Sequence, residues 1–308
     1  MKKFIKFVIF AGTLKLIAFA IINHLIFKTA GAPTGSKFES RKYKWRHGWL
    51  RYVVAGKGEP VLLIHGLGAG ASLLEWDELI EPLSKEYRVY ALDFLGYGES
   101  SKPNVSYSAY LYASQINDFI REVIGSPVNV VASSGGASVV MASCALKPEL
   151  YNKMLLASPI VSPKACTAFE GWAVQKLLDM PVVGTMLYNL FTSRTYYRFS
   201  LHKNLALPLG SPDEMYRSAH AGGVGNKYPV AACFSDMMSF KTDAVISRLA
   251  LPMHVCWGAL NTSNPLSNFR AMRSANDNIA LTVFGNSGAY PHKNQPKKFY
   301  RLCRFFFG

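Results

Sequence analysis

Residues 128–137 (VNVVASSGGA) constrain this chain more than any other stretch. A run of β-branched residues leads into two serines and two glycines, and a helix-forming segment follows directly. The pattern predicts a buried strand, a sharp turn and an immediate helix start, with Ser134 at the apex. A turn that tight needs small residues two places before and two places after its apex, and Ala132 and Gly136 supply them. Ser133 is the rival apex, but that register puts Val131 where a small residue is required.

The rest of the chain repeats the same rhythm. Strand-like runs at 50–56, 61–66, 87–94, 128–133, 153–159, 253–258 and 280–285 alternate with helical periodicity at 72–84, 107–123, 136–146, 264–273 and 296–306. Strands alternating with helices predict a mostly parallel central sheet with helices on both faces. Between 161 and 245 the rhythm gives way to short aromatic-rich helical pieces broken by Pro181, Gly184 and the 222–223 glycine pair. That segment predicts a helical cap inserted over the carboxyl edge of the sheet. The expected organisation is an N-terminal hydrophobic segment over 1–32, a basic linker over 33–46, a core formed by 47–160 and 246–308, and a cap over 161–245. A chain of 308 residues is long enough for such a core.

The formal charge of +15 raises the question of nucleic acid, and its distribution answers it. Residues 1–47 carry ten Lys or Arg against Glu39 alone, leaving +6 for the remaining 261 residues. The excess flanks an apolar run, 7–27, which points to an anionic membrane surface and away from nucleic acid. That run contains thirteen Phe, Ile, Leu or Val residues and is long enough to span a bilayer. Lys15 opposes insertion by roughly 2.5–3.5 kcal/mol, which the apolar residues outweigh at about 0.3–0.6 kcal/mol each. A single-pass anchor is the favoured reading. A cleaved signal peptide, with 30–32 (AGA) as its processing site, and an amphipathic surface helix are the alternatives. Basic residues on both sides leave the orientation open. The five cysteines (Cys144, Cys166, Cys233, Cys256 and Cys303) are scattered, with Cys144 and Cys256 inside apolar elements. They read as small buried hydrophobes, and their spacing suggests neither a disulfide framework nor a metal site. No motif calls for a cofactor.

Three further motifs join the turn at Ser134. His65-Gly66-Leu67-Gly68 follows a strand. Residues 93–100 read D-x-x-G-x-G-x-S, from Asp93 to Ser100. Trp257-Gly258 ends a late strand. Together, in this order and spacing, they resemble the α/β-hydrolase fold superfamily over about residues 45–308, and more loosely a membrane-anchored subgroup of it. The resemblance implies that Ser134 is the nucleophile at a nucleophile elbow. It implies an oxyanion hole from the backbone N–H groups of Leu67 and Gly135. It assigns His65 to shaping the oxyanion loop and Asp93 to fixing its own turn.

The same resemblance exposes two departures. The family's histidine stands in a Gly-His about seven residues before the proline that opens the last helix. Here that proline is Pro296, and the position holds Ala289 after Gly288. The acid normally follows Trp-Gly by two residues and one more, where this chain has Asn261. Residues 157–160, the other place relatives carry the acid, contain no carboxylate. His292 is the candidate base. The cap aromatics Trp172, Tyr188, Phe191, Tyr196, Tyr197 and Phe199 are candidates to line an apolar site.

Two functional classes follow. One is a membrane-anchored serine hydrolase acting on a small ester, thioester or lipid-like substrate, with Ser134 served by a non-standard base. The other is a catalytically inactive binding or scaffolding protein on the same fold at the membrane. Chemistry that does not need a full triad, such as a lyase reaction, is a third route open to the fold.

Overall fold

Period-two burial in the central strands sorts their side chains onto two apolar layers, one on each face of a single sheet. In the computed structural model the described residues are 1–32, 35–160, 168–202, 211–238 and 242–308. Eight strands form the sheet: β1 (Ser40–Trp45), β2 (Gly48–Ala55), β3 (Pro60–Ile64), β4 (Arg88–Leu92), β5 (Val128–Ser133), β6 (Tyr151–Ala157), β7 (Met253–Gly258) and β8 (Ala280–Phe284). Their order is β1-β2-β4-β3-β5-β6-β7-β8. Only β1 and β2 run antiparallel to their neighbours, and the other six strands are parallel.

Leu62 and Ile64 of β3 join Val128, Val130 and Ala132 of β5 on one layer, while Val61, Leu63 and Val131 face the other. The first layer is closed by α3 (Ala109–Phe119) and α4 (Ser134–Leu146), through Tyr112, Ile116, Val140 and Cys144. The second is closed by α2 (Asp77–Leu83) and the C-terminal helix Pro296–Phe307, through Ile80, Leu83, Phe299 and Cys303. Cys144, Cys256 and Cys303 are buried free thiols, and Cys166 lies outside the described residues.

The N-terminal apolar run forms one long helix, α1 (Lys2–Thr29), whose only buried residue is Asn23. Its end docks on the cap. Asn23 Nδ2 donates to the Val182 carbonyl at 3.0 Å, and Asn189 Nδ2 donates to Asn23 Oδ1 at 2.9 Å. Ala30 sits in a small apolar cluster with Tyr197, Met215, Tyr216 and Ala219.

Most of the expected cap is helical: α5 (Ala168–Asp179), α6 (Val183–Phe191), α7 (Arg194–His202), α8 (Pro212–His220) and α9 (Lys227–Ala232). Residues 161–167, 203–210 and 239–241 of that segment lie outside the described residues. The described part touches the loops that leave β3 and β4. Tyr197 Oη donates to the Ala69 carbonyl at 3.2 Å, and the ring carbons of Pro229 crowd Gly96. These loops leave the carboxyl ends of parallel strands, where ligands of open α/β sheets bind.

Two boundaries differ from the sequence reading. The basic linker expected over 33–46 contains β1, because Tyr43 and Trp45 alternate with Lys42 and Lys44 and pack on the sheet against α3. The end of the 161–245 segment belongs with the core. There α10 (Thr242–Ile246) packs on α4 and on α11 (Phe269–Ala275), and Ile246 is fully buried. The remaining helices are α12 (Pro291–Asn294) and α13, the C-terminal Pro296–Phe307.

The sharpest packing requirement lies where β5 turns into α4. A Cβ on Gly136 would fall 2.0 Å from the His65 carbonyl oxygen, so only glycine lets the helix start pass the β3 loop. We expect Gly136→Ala to lose about 3 kcal/mol of stability in urea unfolding. Gly68→Ala, where nothing lies within 4 Å of the added carbon, is the control expected to change little.

Candidate active site

Ser134 is the first residue of α4, directly after the last residue of β5, and no linker separates them. Its φ of 49° lies in the left-handed region, which costs a non-glycine residue on the order of 1–3 kcal/mol. The surrounding backbone enforces that posture. A Cβ on Gly66 would come 3.3 Å from Ser134 Cβ, and Gly136 passes under the His65 carbonyl. Ser134 therefore stands at the apex that the sequence pattern predicted. Ser133 is fully buried and points into the core.

A cavity of about 510 Å³ opens beside Ser134. Ser158, Asn261, Asn264, Ala289 and Tyr290 are among its walls. Ser158 repeats the strain of Ser134, with φ of 46°. Leu67 and Gly135 are neighbours here, since a Cβ on Gly135 would lie 3.1 Å from Leu67 Cβ. Ser134, Gly135, Leu67, Asn261 and Ala289 are thus gathered at one end of the sheet.

His292 is elsewhere. It is 3% exposed, and its ring stacks on Trp76 at 4.3 Å between centroids. Its Nε2 lies 2.9 Å from Glu75 Oε1. His65 has no nitrogen to spare. Its Nε2 accepts from the Phe94 N–H at 3.1 Å, so Nδ1 carries the proton and donates to the Gly66 carbonyl at 2.6 Å. Among the described residues the Ser134 hydroxyl makes no hydrogen bond to any imidazole or carboxylate.

The sequence reading missed Glu75. It sits in the 3-10 turn Leu73–Trp76 and is 1% exposed. One carboxylate oxygen accepts from the Gly66 N–H at 3.1 Å, and the other accepts from the Ser133 hydroxyl. Burial alone would push this carboxyl up. The His292 imidazole, the Ser133 hydroxyl and the Gly66 N–H together hold it below the ordinary glutamate value. Glu75 therefore ties the loop after β3, the strand before Ser134 and the C-terminal loop to one buried charge. Its signal in the sequence was a lone acid among Leu73, Leu74 and Trp76, where an amphipathic turn would leave it exposed.

Asn264 was missed as well. Its Nδ2 donates to the carbonyls of Ser158 and Pro159 at 3.1 and 3.0 Å, and its own carbonyl accepts from Trp257 Nε1 at 2.9 Å. Its backbone N–H donates to Asn261 Oδ1 at 3.0 Å, as does the Ser263 hydroxyl. An N–H can only donate, so this contact fixes which end of the Asn261 amide is oxygen. The Asn261 Nδ2 is then left buried and without a partner. Asp93 fixes its turn by accepting from the N–H groups of Leu73 and Glu99. Of the cap aromatics, Tyr188 and Tyr197 are buried, while Trp172, Phe191, Tyr196 and Phe199 are exposed, and none of the six lines the Ser134 cavity.

With this geometry in place, comparison with known proteins is informative. A family model described as alpha/beta hydrolase fold matches residues 59–294. An uncharacterized protein of Mycobacterium tuberculosis is 25% identical over 275 residues, covering 86% of this chain and 80% of that protein. The pimeloyl-[acyl-carrier protein] methyl ester esterase of Aliivibrio fischeri is 22% identical over 262 residues, covering 83% and 96%. Among solved structures, a bacterial membrane phospholipase A superposes with a TM-score of 0.70 at 19% identity, covering 100% of this chain and 98% of that one.

Removing the buried charge tests the role of Glu75. Glu75→Gln strands the Gly66 and Ser133 donors in poorer geometry, and we expect it to destabilise the fold by about 3 kcal/mol. Because folding lowers its pKa, the carboxylate contributes fully above the unfolded value of about 4.3 and loses that contribution as pH falls through the folded value. Denaturant melts at pH 7 and pH 3 should therefore show wild type losing stability on acidification more steeply than Glu75→Gln.

Proposed function

The chain belongs to the alpha/beta hydrolase fold family, and from that premise we propose that it is a ligand-binding member in which Ser134 has no catalytic base. The ligand is a small ester-, thioester- or lipid-like molecule held in the cavity beside Ser134. The observation that carries this reading is the state of the imidazoles. His65 is spent on the Phe94 and Gly66 backbone, and His292 is stacked on Trp76 against Glu75. A serine hydroxyl without a neighbouring base is a weak nucleophile. Ala289 takes the place of the family's histidine, and Asn261 that of its acid.

The orientation of Asn261 adds a second barrier. A base imidazole must keep its proton on Nδ1, so that Nε2 can accept the serine proton. Asn261 presents Nδ2, a donor, and a donor next to an imidazole favours the opposite tautomer. Restoring the histidine alone would then restore little. The competing reading is a serine hydrolase in which His292 swings out to serve Ser134. It is favoured by the strained posture of Ser134, and it requires breaking the contacts with Glu75 and Trp76.

A fluorophosphonate probe separates the two. We expect wild type and Ala289→His to resist labelling, and the double variant Ala289→His/Asn261→Asp to label at Ser134 on the order of 10³–10⁴ times faster than Ala289→His, the size of a wrong-tautomer defect. Rapid wild-type labelling that Ser134→Ala abolishes would establish the hydrolase reading instead.

The place of action proposed is a membrane. Asn23 is the first buried residue of α1, and residues 2–22 before it are exposed except for the part-buried Ala11 and Phe19. At 1.5 Å per residue that is about 31 Å of helix, close to the roughly 30 Å hydrocarbon thickness of a bilayer. The docking of Asn23 and Ala30 on the cap favours retention of the helix over its removal as a signal peptide. The full chain should resist extraction by alkaline carbonate, and a chain lacking residues 1–22 should be released. A mature protein whose N-terminal sequence begins near residue 33 would favour the signal-peptide alternative.

A further inference from the structure

Two residues that line the cavity carry buried polar atoms without partners among the described residues: Asn261 Nδ2 and Ser158 Oγ. Both residues are nearly inaccessible, at 5% and 2% exposure. An unpaired buried amide or hydroxyl costs on the order of 1–3 kcal/mol, so two beside one cavity mark a place where a ligand can complete the bonding. The Asn261 amide is not free to turn away, because the Asn264 N–H and the Ser263 hydroxyl hold its oxygen. The Ser158 backbone is fixed beside it by Cys256 and Asn264, with φ of 46°.

The chemistry of these atoms selects the ligand. Asn261 Nδ2 only donates, so what meets it must be an acceptor. Among the described residues lining the cavity there is no Lys, Arg, His, Asp or Glu. The Tyr290 phenol is the one ionisable group there, and burial pushes its pKa up and keeps it neutral. The hydroxyls and amides that the described residues present here offer no counter-charge, which disfavours a ligand bearing a formal charge at this point.

We propose that the slot bounded by Asn261, Ser158 and Ala289 is an acceptor-oxygen subsite, which takes the carbonyl oxygen of an uncharged ester, ketone or amide. This rests on the reading of the Ser134 cavity as a ligand site, and it assigns to Asn261 the role of a recognition residue. The space an imidazole would occupy beside Ala289 then holds part of the ligand.

Asn261→Asp isolates the effect. It keeps the oxygen that accepts from Asn264 and Ser263, so the loop is preserved, and it exchanges the donor Nδ2 for a negative acceptor. The probes are three ligands of one shape: acetophenone, benzoate and benzylammonium. They are titrated into the full chain in detergent micelles and followed by saturation-transfer NMR, with a thermal melt to confirm that each variant is folded. Wild type is expected to bind acetophenone at least tenfold more tightly than benzylammonium, and Asn261→Asp to reverse that order. Ser158→Ala is expected to weaken acetophenone several-fold without reversing the order. An order of preference that Asn261→Asp leaves unchanged overturns the subsite while leaving the cavity a ligand site. A wild-type preference for benzoate overturns the uncharged class. Failure of all three probes to bind wild type overturns the ligand-site reading, and the subsite with it.

Discussion

One buried carboxylate organises the end of the sheet where Ser134 stands. Glu75 receives the Gly66 N–H from the loop after β3 and the Ser133 hydroxyl from the end of β5, and it lies against Nε2 of His292 from α12. These three segments are distant in sequence and converge only because β3 and β5 are neighbours and α13 closes the same face. A buried charge is tolerated only with its lone pairs satisfied, so each contact depends on the others. On the function proposed above, this arrangement is what keeps His292 from Ser134. Moving it would expose Glu75 to an unfilled site beneath Trp76 and remove one of the groups that keeps the carboxyl ionised.

Glu75 also bears on the geometry of Ser134 itself. By holding Ser133 inward it fixes the parity of β5, and the following residue must then emerge at the apex. The left-handed φ of Ser134 and the close pass of Gly136 under the His65 carbonyl are consequences of that parity. The posture of Ser134 is therefore maintained by packing from the core side, with no imidazole at 289 needed to hold it. For this reason the posture of Ser134 alone is weak support for hydrolysis.

What the sequence disclosed and what it hid follow from the same distinction. The elbow was legible because its determinants are local: small residues at 132 and 136 around two serines. The sheet was legible because its buried strands are apolar runs separated by helical periodicity. β1 was hidden because four basic or polar residues in 40–45 dominate its composition, and the two that matter, Tyr43 and Trp45, disclose a strand only through alternation. Glu75 was hidden because nothing near it in the sequence carries its partners. Asn261 was located by its distance from Trp257, but its meaning lay in the Asn264 N–H, which fixes the amide orientation. Motif spacing finds the position, and only the hydrogen-bond network says which end of the amide is the oxygen.

The N-terminal helix is joined to this site by contacts more specific than apolar packing. Asn23 on α1 bonds Asn189 on α6, whose Oδ1 lies 3.2 Å from His220 Nε2 on α8, and Thr192 meets the same nitrogen at 3.3 Å. His220 Nδ1 donates to the Tyr216 carbonyl at 2.8 Å, and burial pushes the imidazole's pKa down. A polar chain inside an apolar cluster has few alternative pairings, so it fixes register between α1 and the cap more sharply than Ala30 or Phe27 does. The Met215 carbonyl of α8 in turn closes over Gly70, where an added Cβ would fall 2.8 Å away. Gly70 lies three residues beyond Leu67. Glu75 pins Gly66 from the other side, so this loop is held at Gly66 by a core carboxylate and at Gly70 by the cap.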